Sequence, residues 1–352
     1  MAGRRFVVAG AGVVGASIAY HLAERGADEV ILAENDTVAS GATGKALGGV
    51  RQQFSSAPEV RLAQESLAFF RTLGPELFSP VGYLFLATTE PGLEELEHRR
   101  EVQCALDVPV ERVDPSRVAG LAVGDVLGAT FCAEDGTADS AGVARELVRR
   151  AVNLGVELHE HTDALELEGD VLVLATGAAS AAIGAKLGLE LPVRPLVRQL
   201  VETAPVEELP IDLPLVVEAE SGFHFRRRGD ALVLAMPEPS HRWGLEERVD
   251  EPLVVDWLRR LAARYPSAAG IAPARAWAGL YDMTPDAHPI LGPVADGLYV
   301  ACGFSGHGFM QAPAVGRIVA DELLGCDPGF DLSPYRLERF SSGAVAPETA
   351  IL

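Results

Sequence analysis

Apolar positions near the start of the chain follow three successive periods. The run Arg5-Phe6-Val7-Val8-Ala9 is nearly continuous, as in a strand buried on both faces. Helical spacing then fits 13–25, and a second continuous run, Val30-Ile31-Leu32-Ala33, ends at Glu34. Strand, helix and strand in that order predict a parallel βαβ unit. Next, 59–73 is helical, with Val60, Ala63, Leu67 and Phe70 on one face. Pro80 introduces a strand at 83–87, an acidic helical stretch covers 93–106, Asp114-Pro115 marks another helix start, and 127–132 reads as a strand. An amphipathic helix over 141–154 stops at Gly155, and 156–158 is the next strand. A short hairpin within 157–170 leads to Val171-Leu172-Val173-Leu174-Ala175-Thr176-Gly177. A fully apolar strand of this kind belongs in the middle of a parallel sheet, and its small last residues let a ligand pass closely.

From Pro192 to about Asp282 the pattern changes. Short strands at 196–203, 216–219, 223–227, 231–236 and 274–281 alternate with turns, interrupted by one helix at 253–265. This predicts a mostly antiparallel sheet. The chain then returns to the first pattern with an apolar run at 298–301 and a helix over 308–324.

Two glycine-rich segments follow the apolar runs at opposite ends of the chain. In Gly10-Ala11-Gly12-Val13-Val14-Gly15, Gly10 permits the tight turn, Gly12 lets the backbone approach a pyrophosphate, and Gly15 lets the helix lie close on the strand. Glu34 is placed to accept hydrogen bonds from ribose hydroxyls and disfavours a 2′-phosphate. Gly303-Phe304-Ser305-Gly306-His307-Gly308-Phe309 is the second segment. A chain that returns to one dinucleotide from its far end closes over a cofactor it keeps, which points to a flavin. The predicted fold class is therefore α/β (α+β overall). A Rossmann-type FAD-binding domain takes residues 1–79, 137–192 and 284–352. An inserted, mostly antiparallel β-sheet substrate domain takes 80–136 and 193–283.

Composition narrows the partners. The chain has 352 residues and a formal net charge of −21, which argues against nucleic acid and anionic membranes. Cys104, Cys132, Cys302 and Cys326 have no metal-ligand spacing, which fits reduced thiols in a cytoplasmic protein. No metal is expected, since His159 and His161 have no evident third ligand. Arg4-Arg5 imitates the start of a secretion signal, but the glycine spacing and the strand and acid that follow account for that segment better. No run of about 18 apolar residues occurs, so no membrane span is expected.

Four stretches resemble the flavin-dependent D-amino-acid oxidase and sarcosine oxidase superfamily, most closely the sarcosine oxidase β-subunit and β-type L-proline dehydrogenases. They are the opening unit from Gly10 to Glu34; Ser40-Gly41-Ala42-Thr43-Gly44-Lys45-Ala46-Leu47-Gly48-Gly49-Val50-Arg51-Gln52-Gln53-Phe54; Trp277-Ala278-Gly279-Leu280-Tyr281-Asp282-Met283-Thr284-Pro285-Asp286; and the segment from Cys302 to Gln311. With Ala175-Thr176-Gly177 they span nearly the whole chain. The resemblance implies FAD held by Gly10, Gly12, Val14, Gly15, Glu34, Ser40, Gly41, Ala42, Thr43, Lys45, Gly48, Gly49, Arg51, Ala175, Thr176, Gly177 and Gly279. From the second segment it adds Gly303, Ser305, Gly306, His307, Gly308, Phe309 and Met310. The 40–51 stretch would cross the flavin ring, where small residues suit a backbone pressed against a flat surface. The helix start at 303–309 would stabilise charge developing on the reduced ring.

Arg51, Tyr281, His307, Lys45 and His224 are the expected catalytic residues. Arg51 either pairs with a substrate carboxylate through its planar fork or serves structure. His307 either touches the ring or is held in its turn by the backbone. Tyr281 occupies the position of an active-site tyrosine in the family. His224 and His241 lie in the substrate domain, in reach of its pocket. Strand alternation turns Arg226 toward the site, and Cys302 packs under the flavin loop. Gly279 stands where monomeric sarcosine oxidases carry a cysteine bonded to FAD, and 40–51 contains no histidine, so the FAD is expected to be non-covalent. No lysine occurs at 231–236, where those oxidases place one for reaction with oxygen, which leaves Lys45 as the cationic lysine near the flavin. Ala179 stands where the family often has tryptophan.

The expected reaction is oxidation of the C–N bond of a small amino acid or secondary amine of the sarcosine, proline, glycine or D-amino-acid type. A hydride passes to flavin N5 and the imine product hydrolyses. The alternative is a non-catalytic or electron-transferring FAD-binding subunit of a hetero-oligomeric dehydrogenase. An NAD-dependent dehydrogenase has no use for the second glycine segment. A partner subunit and a homo-oligomer both stay open, as do the identity of the amine and the electron acceptor.

Overall fold

The computed structural model describes residues 3–342 and 347–349; residues 1–2, 343–346 and 350–352 lie outside the described residues. The strand Arg5–Ala9 lies between Glu29–Ala33 and Val171–Leu174, parallel to both. Val171–Leu174 in turn pairs in parallel with Leu298–Cys302, so the first and last parts of the chain meet within one sheet. The full order is Ile290–Ala295, Leu298–Cys302, Val171–Leu174, Arg5–Ala9, Glu29–Ala33, Glu157–His159. Phe6 and Val8 enter one core while Val7 and Ala9 enter another. Burial on both faces explains why the run is continuous instead of alternating.

The helices Val13–Glu24, Ser140–Asn153 and Gly308–Leu323 contribute to the first of these cores. Val13–Glu24 and Gly308–Leu323 cross so closely that a Cβ on Gly316 would collide with Ser17 Oγ. Pro313 interrupts the hydrogen-bond ladder of Gly308–Leu323. Ser66, on the helix Ala57–Phe70, fills that gap: its hydroxyl accepts the Ala314 N–H and donates to the Gln311 carbonyl, each at 3.1 Å.

The second sheet has eight strands in the order Pro273–Met283, Arg194–Thr203, Ala231–Ala235, His224–Arg228, Leu215–Glu218, Tyr83–Ala87, Gly128–Cys132, Val110–Arg112. Its neighbours are antiparallel except Leu215–Glu218 with Tyr83–Ala87. Strands from before and after the Val171–Leu174 strand thus share this sheet. Leu84, Phe225, Leu234, Trp257 and Leu261 are among its buried core residues, the last two on the helix Glu251–Arg264.

The structure corrects the sequence reading at three places. Residues 157–170 are not a hairpin: Glu157–His159 is an edge strand parallel to Glu29–Ala33, followed by a turn and the short 3-10 helix Ala164–Glu166. Asp114-Pro115 starts only a 3-10 turn, Pro115–Arg117, with the Asp114 carboxylate accepting the Ser116 N–H. A small sheet of Gly49–Val50, Gly136–Ala138 and Phe78–Ser79, and the strand Ile290–Ala295, were not anticipated. These segments are short or interrupted by glycine and proline, so they carry no periodic signal.

Candidate active site

One cavity of ≈ 400 Å³ is lined by both Glu34 and His307, which stand far apart in sequence. At one end, Gly10 has φ +100°, and a Cβ there would stand 2.5 Å from the Ala175 carbonyl oxygen. Only glycine tolerates that turn. A Cβ on Gly15 would collide with the Gly10 carbonyl, which seats the helix Val13–Glu24 against the strand. The Val13 N–H donates to Thr43 Oγ1 at 3.0 Å, tying the helix start to the next loop. Glu34 Oε2 accepts the Ala11 N–H at 2.8 Å and Oε1 accepts the Asp36 N–H at 3.1 Å. A carboxylate has about four acceptor positions, so both oxygens retain capacity toward the cavity. Around Gly41 and Gly177 a Cβ would meet nothing within 4 Å, which leaves open space at the cavity wall.

The segment 45–49 runs along the cavity under tight constraint. The Lys45 carbonyl accepts the Trp277 indole N–H at 2.9 Å, and the Leu47 carbonyl accepts Arg226 Nε–H at 2.6 Å. Burial lowers the Arg226 pKa to about 10, helped by Arg228. A Cβ on Gly49 would collide with the Tyr83 hydroxyl. Lys45 Nζ is ion-paired with Glu247, which also lines the cavity.

Arg51 is 2 % exposed, donates to the Gln53 carbonyl, and has its guanidinium carbon 4.2 Å from the centroid of the Phe54 ring. Beneath this stretch Asp135 is fully buried. It accepts the Gln52 N–H at 3.0 Å and the side-chain amides of Gln52 and Gln53 at 3.2 and 2.9 Å. Burial raises its carboxyl pKa to about 6, against the pull of those donors and of Arg51.

His307 precedes the helix Gly308–Leu323, with its ring edge-on to Phe54 at 5.1 Å. Gly308, Phe309 and Met310 line the cavity, and the first N–H groups of a helix have no intrahelical acceptor. They can face an anionic group there.

The inserted sheet supplies the opposite wall. Tyr281 lies against the Gly306 turn, and the Arg198 guanidinium stands 5.7 Å from its ring centroid. Burial raises the Tyr281 phenol pKa, with Arg198 and Arg51 pulling the other way. His224 is buried and its Nδ1 meets the Gly222 carbonyl at 2.7 Å, which makes Nδ1 the protonated nitrogen and Nε2 an acceptor. Burial lowers its pKa to about 4, with Arg51 and Arg198 adding to the effect, so it is neutral near pH 7.

Of the expected catalytic and cofactor-binding residues, Gly15, Gly303 and Ser305 do not line the cavity and the rest do; Arg226, expected to turn toward the site, lines a separate pocket instead. Gly15 packs helix on strand, as expected. The Gly303 N–H donates to Asp282 Oδ2 at 2.7 Å, and Ser305 Oγ accepts the Thr284 N–H at 3.1 Å, so these two shape the loop from behind. His241 is an exposed residue packed edge-on against Trp243 and does not line the cavity. Cys302 is fully buried, and burial raises its thiol pKa to about 12. Arg198, Tyr83, Glu247 and Asp282 line the cavity without having been anticipated. Arg198 falls on a strand whose register, Arg198 opposite Gly279, is invisible in the local pattern. Among the described residues, no cluster of three metal-binding side chains occurs and no helix is long and apolar enough to cross a membrane.

Comparison with known proteins agrees with this geometry. The family model described as "FAD dependent oxidoreductase" matches residues 5–322. A glycine oxidase of Geobacillus kaustophilus is 29% identical over 368 residues, covering 94% of this chain and 96% of the relative. A Bos taurus protein called FAD-dependent oxidoreductase domain-containing protein 1 is 30% identical, covering 98% and 86%. The crystal structure of L-proline dehydrogenase from P. horikoshii superimposes with a TM-score of 0.90 at 26% identity, covering 97% and 99%. A glycine turn, the acid that ends the second strand and a returning helix line one cavity, and the chain belongs to the DAO family of FAD-dependent oxidoreductases.

Proposed function

We propose that this enzyme oxidises the C–N bond of a small amino acid or secondary amine, with FAD held non-covalently. The observation that carries the reading is the cavity itself: nucleotide-cradling glycines and Glu34 continue into a wall of Arg51, Tyr281, Arg198 and His224. Relatives named glycine oxidase and L-proline dehydrogenase suggest the substrate class. Segments 1–79, 137–192 and 284–352 would hold the cofactor, and 80–136 with 193–283 the substrate. Gly10, Gly12 and Glu34 would bind the nucleotide, and 45–49 with 306–310 would flank the ring. Bound FAD supplies the acceptor for a hydride from the carbon next to nitrogen.

The chain's own residues do the rest. Arg51 offers positive charge to the carboxylate common to amino acids. Neutral His224 presents Nε2 as an acceptor for an amine N–H, while burial and the positive charges of Arg51 and Arg198 nearby disfavour a protonated substrate nitrogen. Buried Tyr281 stays a phenol and donates or accepts without charge. No side chain in this arrangement has to act as a strong base, so the contribution is position, exclusion of water and electrostatics. The Lys45–Glu247 pair leaves no uncommitted lysine on this wall, which favours transfer of electrons to a carrier or partner subunit over direct reaction with oxygen. The free cysteines support reading the enzyme as cytoplasmic.

Anaerobic mixing with sarcosine, proline, glycine and D-amino acids should bleach the flavin absorbance, and an artificial acceptor should restore it faster than air. A yellow protein that none of these compounds bleaches would overturn the reading.

A further inference from the structure

We propose that Arg198 receives a second acidic group of the substrate, so that the enzyme prefers amines carrying two carboxylates over their monocarboxylate counterparts. The inference rests on the amine-oxidising reading above.

Arg198 lies on the strand Arg194–Thr203, opposite Gly279 and two positions from Leu196, which is opposite Tyr281. Its guanidinium stands 5.7 Å from the Tyr281 ring centroid, and its Nε and Nη1 are buried with no hydrogen-bond partner. The acids around it are engaged elsewhere. Glu238 holds Arg242 through two bonds of 2.5 and 2.6 Å. Glu247 pairs with Lys45, Glu34 accepts two backbone N–H groups, and Asp282 accepts the Gly303 N–H. Alternation along Pro273–Met283 also directs Asp282 to the face opposite Tyr281.

A buried guanidinium without an acceptor is costly, and a ligand anion removes that cost. The chain as a whole carries a net charge of −21, so general attraction to anions does not explain an unpaired guanidinium here. Arg51 lines the same cavity from another part of the chain. The fields of both arginines reach His224 and Tyr281, so they act on one volume. One guanidinium serves the carboxylate that every amino acid carries. The other selects for an additional carboxylate, with the His224 Nε2 acceptor available to the amine.

The test compares sarcosine with iminodiacetate, and glycine with D-aspartate, by anaerobic flavin bleaching in wild type and Arg198→Met. Wild type should favour the dicarboxylate of each pair. The ratio of dicarboxylate to monocarboxylate kcat/KM should fall on the order of 10–100-fold in R198M, the effect of losing a charged hydrogen bond. Arg198→Lys should retain part of the preference. Independently of turnover, succinate should raise the Tm of the holoenzyme more than propionate does, and R198M should abolish that difference. Equal losses for both members of a pair, loss of FAD from R198M, or a wild-type preference for monocarboxylates would overturn the proposal. Failure of wild type to bleach with any of the four compounds would instead overturn the amine-oxidising reading on which it rests.

Discussion

The ring of Tyr281 occupies the space that a side chain on Gly306 would need, and Gly306 adopts φ +94°. The contact joins the last strand of the inserted sheet to the turn that opens the helix Gly308–Leu323. Gly306→Ala is expected to lose FAD affinity and turnover together, because the new Cβ displaces both walls and the left-handed backbone costs about 1–2 kcal/mol. Adding Tyr281→Ala vacates the space and should restore part of the FAD affinity but not the turnover. Apoprotein titration and steady-state rates on the two variants check this.

Glu34→Gln should weaken FAD binding by about 10–100-fold, the range for a charged hydrogen bond. The amide retains one acceptor for Ala11 or Asp36 but offers less to a ribose. Fluorescence titration of apoprotein with FAD reads the change directly, and wild-type affinity in the variant would remove Glu34 from the binding set.

Lys45 and Glu247 are paired beside the cavity, each about a third exposed or less. Lys45→Met and Glu247→Gln should each raise KM by about two- to fivefold, and the double variant should be no worse than either single one. Reoxidation of the reduced flavin by air should change little in Lys45→Met. A tenfold or greater drop in that rate would give the lysine a direct part in the oxygen reaction.

His224 titrates at about 4 in the folded protein against an ordinary value of 6.5, chiefly through burial. Unfolded chains therefore bind more protons than folded ones between those values. The stability this neutral histidine contributes is complete above pH 6.5 and is lost as pH falls through 4. His224→Gln should flatten the dependence of Tm on pH in that window relative to wild type. The comparison is needed because Asp135, raised to about 6, contributes with the opposite sign.

What could be read from sequence depended on whether a residue's role is local. Gly10, Gly12, Gly15 and Glu34 act through the backbone of one βαβ unit, so spacing alone located them. Met310 came from the family resemblance, while the helix start after an apolar strand at 298–301 marked Gly303 to Phe309. Arg198 was missed because a single arginine in an alternating strand reads as solvent-facing, and only the pairing with Gly279 turns it inward. Glu59 was equally opaque. It looks like an ordinary first-turn acid, yet it is fully buried and accepts from His288 at 2.6 Å, Tyr335 at 3.0 Å and Gln311. Its partners are more than two hundred residues away, so no local pattern announces them. The supposed hairpin at 157–170 failed for a related reason: turn residues after a short strand look the same whether or not the chain pairs with itself.

The cavity is lined by residues 10–51, by stretches of the inserted sheet, and last by 301–310. During synthesis, the ribosome must release the chain past residue 310 before this last wall exists. Flavin capture is thus a late event in biogenesis, and a prematurely terminated product would be a colourless, partly open shell.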